Sequence, residues 1–460
     1  MSAIPGDIET ETQPPIAIPL RHFLVGLLFL LAGALVGTLG PLGVIPGAPA
    51  LAHVHLLLAG WVCVTIMGAM TQFVPVWSGT TLHSRLLSRI QLWTVTGGLA
   101  GFVFCLLGGF YAWLPLFGTL LLLGFWIFVY NVGRTLLGVR PWDVTERHFA
   151  IALAFFILVT LFGLVLALGY TRPLLADLPI SRSALRGSHA TLAVFGAVLT
   201  TVFGALYQLG TMFTQTELHG ADHHLRRVEE VGYPVGVLLL AGGRLFDAVA
   251  IGRIGALLVA IGIGAMGLVL GRRLLETAVA WNPMLRRYAV AAAAMVSWAA
   301  LTVPAWYASP LDSGATFGSS AGTHLLLFGV VGFVVAGTLY HVVPFIVWVN
   351  RYSDRLGLEA VPMIDDLYDD RLARLDFVAL LIGGLALVVA EVLSTTGVET
   401  GVLTTLSLFG GTVSTLGFAV FAVNLGRTVR RHSPQSVLSI GGVGDSGGDR
   451  PPHHSKQSDR

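Results

Sequence analysis

Two segments of this chain open on a histidine and continue as long, mostly apolar runs. One reads HLLLAGWVCVTIMGAMTQFVPVW from His55, the other HLLLFGVVGFVVAGTLYHVVPFIVW from His324. Both fit H-x4-G-x7-G-x6-P, so His55, Gly60, Gly68 and Pro75 answer to His324, Gly329, Gly337 and Pro344. From the 14 His, 56 Gly and 21 Pro of the chain, such a recurrence is expected by chance roughly 0.01 times. A third segment joins with a two-residue shift: His189, Gly196, Gly204 and Gln208 keep the spacing of His53, Gly60, Gly68 and Gln72. An ionisable side chain in such a run is costly and by default marks a function. A lone histidine near an interface is usually just hydrogen-bonded or snorkelling, but matched positions in repeated segments favour a shared role. Neutral imidazole is a standard axial ligand of haem iron. Two imidazoles from different helices, His324 with His55 or His53, can clamp a porphyrin inside a bundle.

The elements that must position these residues are membrane helices. The chain has 460 residues, 55% hydrophobic and 11% charged, with a mean hydropathy of +0.78. That composition excludes a large soluble catalytic domain. With about 20 apolar residues needed per span, runs starting near Phe23, Ala52, Leu92, Leu114, Phe149, His189, Tyr233, Ile254, Tyr288, Gly322, Leu375 and Gly401 predict twelve transmembrane helices. The seventh is the weakest, because Arg244 and Asp247 interrupt it. The expected organisation is a tail over 1–20, a membrane domain over 21–431, and a Gly-, Ser- and Pro-rich disordered tail over 432–460.

An even number of spans puts both ends on one side and divides the loops into two sets. The outer set holds only Arg172, Arg182, Arg186 and Arg253, and nearly all the rest of the 27 basic residues fall in the inner set. The positive-inside rule then predicts both termini in the cytoplasm of a cell with this protein in its plasma membrane. The acidic, proline-bearing start GDIETETQPP lacks the basic region of a cleaved signal, so the first run reads as a retained helix. A net charge of +2 with scattered basic residues argues against a nucleic-acid partner. Cys63 and Cys105 both lie in apolar runs, and no C-x-x-C-H is present, which excludes a covalent c-type haem and a Cys-rich metal site.

Gly60, Gly196 and Gly329 are 136 and 133 residues apart, four spans each. Twelve helices thus read as three sets of four, an all-α bundle with pseudo-threefold symmetry. Spans two, six and ten run from outside to inside, so His55, His189 and His324 share one depth near the outer leaflet. Gly-x7-Gly lies on one helical face and allows close helix contact or a flat ligand.

At this point the chain resembles the catalytic subunit I of haem–copper oxidases and nitric oxide reductases. The His324 segment is similar to that family's tenth helix, where a histidine precedes a proline by the same interval. Twelve helices in three arcs of four is also that family's architecture. The resemblance implies one low-spin haem b held by His324 and by His53 or His55, with an electron-donor protein or companion oxidase-like subunit as partner beside the lipid bilayer. It also implies propionates facing outward, for which Arg186, with Arg182 or Arg172, is the available cation. His189 matches the family's sixth-helix copper ligand and is a candidate for a second metal. The departures are specific. Gly322 stands where the high-spin haem ligand is expected, the seventh span (YPVGVLLLAGGRLFDAVA) lacks the paired copper-ligand histidines, and Ala193 replaces a tyrosine. The resemblance therefore implies electron transfer or diatomic-gas handling in a respiratory membrane, with the usual oxygen-reducing centre lost.

A second resemblance is to NnrS-type haem- and copper-containing membrane proteins of the nitric oxide response, carried by His53-x-His55-x4-Gly60 and by Pro75, Trp77 and Gly79. It implies bound copper, with His53 and His55 as a chelate. A metal-free transporter is the remaining alternative, although transporters usually carry inverted or two-half repeats. Elsewhere, Asp365, Asp366, Asp369 and Asp370 read as a solvated connector, and His219, His223 and His224 as a polar loop. His341 beside Tyr340 reads as structural. Glu391, and Asp247 with Arg244, read as a polar path for protons or, for the latter two, as an i, i+3 pair.

Overall fold

The computed structural model describes residues 14–433. Among them it is helical throughout, with a single isolated bridge, Leu356 to Glu359, as the only extended pairing. We number the major helices α1 (Ala17–Leu39), α2 (Pro49–Trp77), α3 (Arg85–Gly108), α4 (Leu114–Leu137), α5 (Val144–Leu168) and α6 (Arg182–Thr214). There follow α7 (222–245), α8 (Val249–Leu275), α9 (Pro283–Ala308), α10 (Leu325–Arg351), α11 (Asp370–Ser394) and α12 (Thr400–His432). The first helix starts four residues inside the stretch expected as a tail. The C-terminal tail from 434 onward and residues 1–13 lie outside the described residues.

Polar residues at the predicted breaks set the helix starts. Ser84, Ser181 and Asn282 each accept the backbone N–H three residues on, and Asp143 forms a reciprocal capping box with Glu146. Pro75 and Pro344 sit inside α2 and α10, as tolerated where neighbouring helices surround the backbone.

Eleven of these helices are long and apolar enough to cross a bilayer. The exception is α7, the span already weakest in the sequence. Its apolar part, Tyr233–Leu245, has 13 residues, about 20 Å at 1.5 Å each, less than the roughly 30 Å of hydrocarbon to be crossed. Arg226, Arg227, Glu229 and Glu230 occupy its earlier turns, where the helix passes through a π turn at Val228–Gly232.

Consecutive helices pack side by side, and α12 returns to lie against α1. The best buried are α6 and α10, with 83% and 78% of their most apolar stretches inside, against 28% for α4, α11 and α12. With α2 they line an apolar cavity of about 70 Å³, to which Ile66, Val202 and Val335 contribute at matching positions. One packing contact recurs three times. A Cβ on Gly68 would lie 2.6 Å from the His22 Cβ, on Gly204 2.6 Å from the His148 Cβ, and on Gly337 3.1 Å from the Arg287 Cβ. Seven residues further along α1, α5 and α9, Phe29, Phe155 and Ala294 meet Gly60, Gly196 and Gly329 in the same way.

Candidate metal centre

The three histidine-bearing helices share a backbone irregularity. A π-helical stretch of eight residues runs over Leu56–Cys63 in α2, Leu192–Leu199 in α6 and Leu325–Gly332 in α10. It begins immediately after His55 and His324 and three residues after His189. π-Helix is rare and is frequent at functional sites. Because it is wider than α-helix, it turns the preceding residues relative to the rest of the helix.

Four imidazoles lie at or just before these stretches, and each has its Nδ1–H directed at an oxygen. His53 donates to the Gly33 carbonyl at 2.8 Å and His189 to the Val159 carbonyl at 3.0 Å. His55 donates to its own helix, at the Leu51 carbonyl, 2.8 Å away. His324 faces the Glu391 carboxylate at 3.3 Å. With Nδ1 protonated, Nε2 carries the lone pair, and among the described residues no hydrogen bond reaches Nε2 of any of the four. An anchored Nδ1 and an available Nε2 are the state in which imidazole serves as a metal ligand.

Glycines make room for two of the rings. A Cβ on Gly37 would lie 2.3 Å from His53 Nδ1, and one on Gly163 3.1 Å from His189 Cε1. Glu391 also accepts the backbone N–H groups of Thr323 and His324 at 3.2 and 3.1 Å. It therefore positions the start of α10 as well as the ring.

The imidazoles also have neighbours on other helices. His53 and His324 are within electrostatic reach of each other, and so are His55 and His189. His53 and His55 are thus held by different oxygens and associated with different neighbours, which disfavours a chelate of one metal by that pair. Among the described residues no group of three or more His, Cys, Asp or Glu is arranged to hold a metal ion. A bare transition-metal ion normally takes about four ligands. A porphyrin brings four nitrogens of its own and asks the protein only for axial donors, so paired imidazoles suit it. The indole N–H of Trp61, in the π stretch of α2, is buried without a partner among the described residues, and its ring packs edge-on against Phe418.

The other predicted residues fall out as follows. Arg186 is exposed on the first turns of α6, and the Arg182 guanidinium lies over the Tyr170 ring at 4.5 Å. Arg244 is buried and donates to the carbonyls of Pro310, Thr316 and Ala315 and to Thr191. It fastens the loop before α10 to α6. Asp247, beyond the end of α7 with φ of 53°, is not its partner, which corrects the i, i+3 pair. His341 packs its ring on Phe213 and Phe345. His219 pairs with Glu276 and not with His223 or His224. In the acidic connector, Asp366 accepts the Met363 N–H and Asp369 caps α11. The backbone N–H groups of Leu372 and Arg371 hold the Asp369 carboxyl below its ordinary range.

At the opposite ends of the same helices lies a second set of polar residues that the sequence reading missed. His148 bonds Val144 O and Glu229, whose other oxygen accepts from Tyr207. Arg287 pairs with Asp376, which also accepts from Tyr340, itself bonded by Asn424. In α1, His22 donates to Ile18 O and lies 3.5 Å from the Gln91 amide. The available signal was the second glycine of the repeat: Tyr207 and Tyr340 each follow it by three residues.

No protein-family model matches the chain, and no curated protein is significantly similar to it.

Proposed function

We propose that the chain is an integral membrane b-type haem protein similar to subunit I of haem–copper oxidases. Its twelve helices form three sets of four, with α7 as a short seventh span and both termini in the cytoplasm. The layout is supported by the recurring glycine contacts, by the three π stretches in one register and by the return of α12 to α1. The orientation rests on the arginine distribution, and a respiratory plasma membrane is the expected setting.

The observation that carries the haem reading is the state of the imidazoles: Nδ1 anchored, Nε2 available, in pairs drawn from different helices. His324 and His53 would hold a low-spin haem b through Nε2, and of the two candidates on α2 the pairing favours His53. When bound, the haem supplies reversible one-electron redox chemistry or a site for a diatomic gas. The protein's part is orientation. The Gly33 carbonyl fixes the His53 tautomer, and Glu391 makes His324 a stronger donor. Arg186 stands near the outer end as a cation for a propionate. Gly322, against which Trp298 packs, leaves no ligand where the family's high-spin haem is held. That supports electron transfer or gas handling over oxygen reduction.

Reduced-minus-oxidised spectra of the purified protein test this. A b-type band is expected in the wild type, with intensity lost in His324→Ala and in His53→Ala. No band in the wild type, or an unchanged band in His324→Ala, overturns the assignment and returns the metal-free transporter. Copper found in stoichiometric amount by elemental analysis would instead support the NnrS-like reading.

A further inference from the structure

We infer that His55 and His189 form a second bis-imidazole haem site, between α2 and α6, equivalent to the His53–His324 site by the rotation that relates the helices. The inference rests on the haem reading above and adds a centre to it. Positions can be counted back from the glycine in each π stretch. Seven residues before Gly60, Gly196 and Gly329 stand His53, His189 and Gly322, and five before stand His55, Thr191 and His324. The imidazoles within electrostatic reach of each other are a minus-seven ring of one helix and a minus-five ring of another: His53 with His324, and His189 with His55.

The supports of the two minus-seven rings are equivalent too. The carbonyls that anchor His53 and His189 belong to Gly33 and Val159, each four residues beyond the phenylalanine, Phe29 or Phe155, that packs on the π glycine. Gly37 and Gly163, four residues further, are the glycines that admit the rings. The π stretches of α2 and α6 are themselves in contact, which brings the two helices together just beyond this pair.

The third combination is instructive because it would join Gly322 to Thr191. Both imidazoles are missing there, and side chains close the place. A Cβ on Gly322 would touch Trp298 at 3.2 Å, Trp298 packs against Trp306 and Phe195, and Thr191 accepts from Arg244 at 2.6 Å. Where the chain keeps one member of a pair it keeps both, and where it lacks one it lacks both and fills the space. A packing role for each histidine separately does not account for that pattern. The ligand class follows from the donor count: two imidazoles without a third ligand suit an iron porphyrin better than a bare ion.

The test is haem stoichiometry of the purified full-length chain, by pyridine haemochromogen against protein mass, with copper measured in the same samples. Two haems per chain are expected. His189→Ala and His55→Ala should each lose one and keep the centre of His53 and His324, while His53→Ala loses the other. If His189→Ala fails to fold, His189→Met serves, since exchange of one imidazole for a thioether should move the near-infrared charge-transfer band of half the haem. One haem per chain, lost in His53→Ala and unchanged in both His189 variants, overturns this inference and leaves the first centre intact. Stoichiometric copper that disappears in His189→Ala also overturns it. A wild-type chain without haem overturns both readings.

Discussion

At one end of α2, α6 and α10, four imidazoles each commit Nδ1 to an oxygen and leave Nε2 without a partner. At the other end the same helices and their neighbours carry buried polar groups that mostly bond one another, although Gln91 Oε1 and Arg287 Nε have no partner among the described residues. Both nitrogens of His148 are engaged, as are both oxygens of Glu229 and both of Asp376. Asn424 bonds Tyr340 and both the N–H and the carbonyl of Asp369. The two layers hang on the two glycines of one repeated motif, so the scaffold alone does not distinguish them. What differs is valence. A closed network of buried polar groups fixes the helices relative to one another, whereas an anchored imidazole with an available nitrogen has a position to offer and something still to bind.

If the closed layer is the framework, breaking it should damage the fold more than any change among the imidazoles. Arg287 and Asp376 are both fully buried, and removing the cation strands a carboxylate that keeps only Tyr340. Arg287→Ala is therefore expected to cost about 3–5 kcal/mol, read as a large fall in the thermal unfolding midpoint in detergent. A midpoint equal to wild type would show that the closed layer does not hold the bundle. The corresponding change in the second cluster is smaller. Tyr207→Phe takes one hydroxyl from Glu229 and leaves the His148 bond, for an expected loss of about 1–3 kcal/mol. A loss as large as that of Arg287→Ala would break the ranking of a charge pair over a single hydrogen bond.

The sequence exposes these two layers unequally, and the reason is physical. The glycine spacing and the His55 and His324 starts are legible because period and composition in an apolar run are one-dimensional properties. That His53, two residues earlier, comes within electrostatic reach of His324 is not legible. It depends on the rotation that a π stretch imposes on the turn before it, and nothing in LLLAGWVC distinguishes a π stretch from an α-helical one. Glu391 was visible as a charge in a span, but its bond to His324 joins residues 67 apart. The closed layer was hidden for another reason. Glu229 lies in the charged run RRVEE and reads as loop, yet that run is helical and buries Glu229 completely. The helix therefore starts before the apolar run of the seventh span, which begins at Tyr233. Arg244 shows the limit of local spacing: Asp247 is three residues away, but the guanidinium finds carbonyls more than sixty residues distant.

The finest division lies between the two imidazole pairs, and their glycines offer a way to separate them. Gly37 lies so close to His53 that a methyl group there would stand 2.3 Å from Nδ1, whereas at Gly163 it would stand 3.1 Å from His189 Cε1. The first contact is shorter than non-bonded atoms tolerate, so in Gly37→Ala the ring must leave the Gly33 carbonyl. Losing that support should weaken the ligand about 10–100-fold, the usual effect of removing an outer partner of a metal-bound histidine. The second contact is relieved by a shift of a few tenths of an ångström, and Gly163→Ala should keep its haem with only a small change in band position. Titration of haem back into the stripped variants measures both. Equal affinity in the two alanine variants would mean that the glycines serve helix packing alone, and that the resemblance between the two pairs does not extend to how their rings are held.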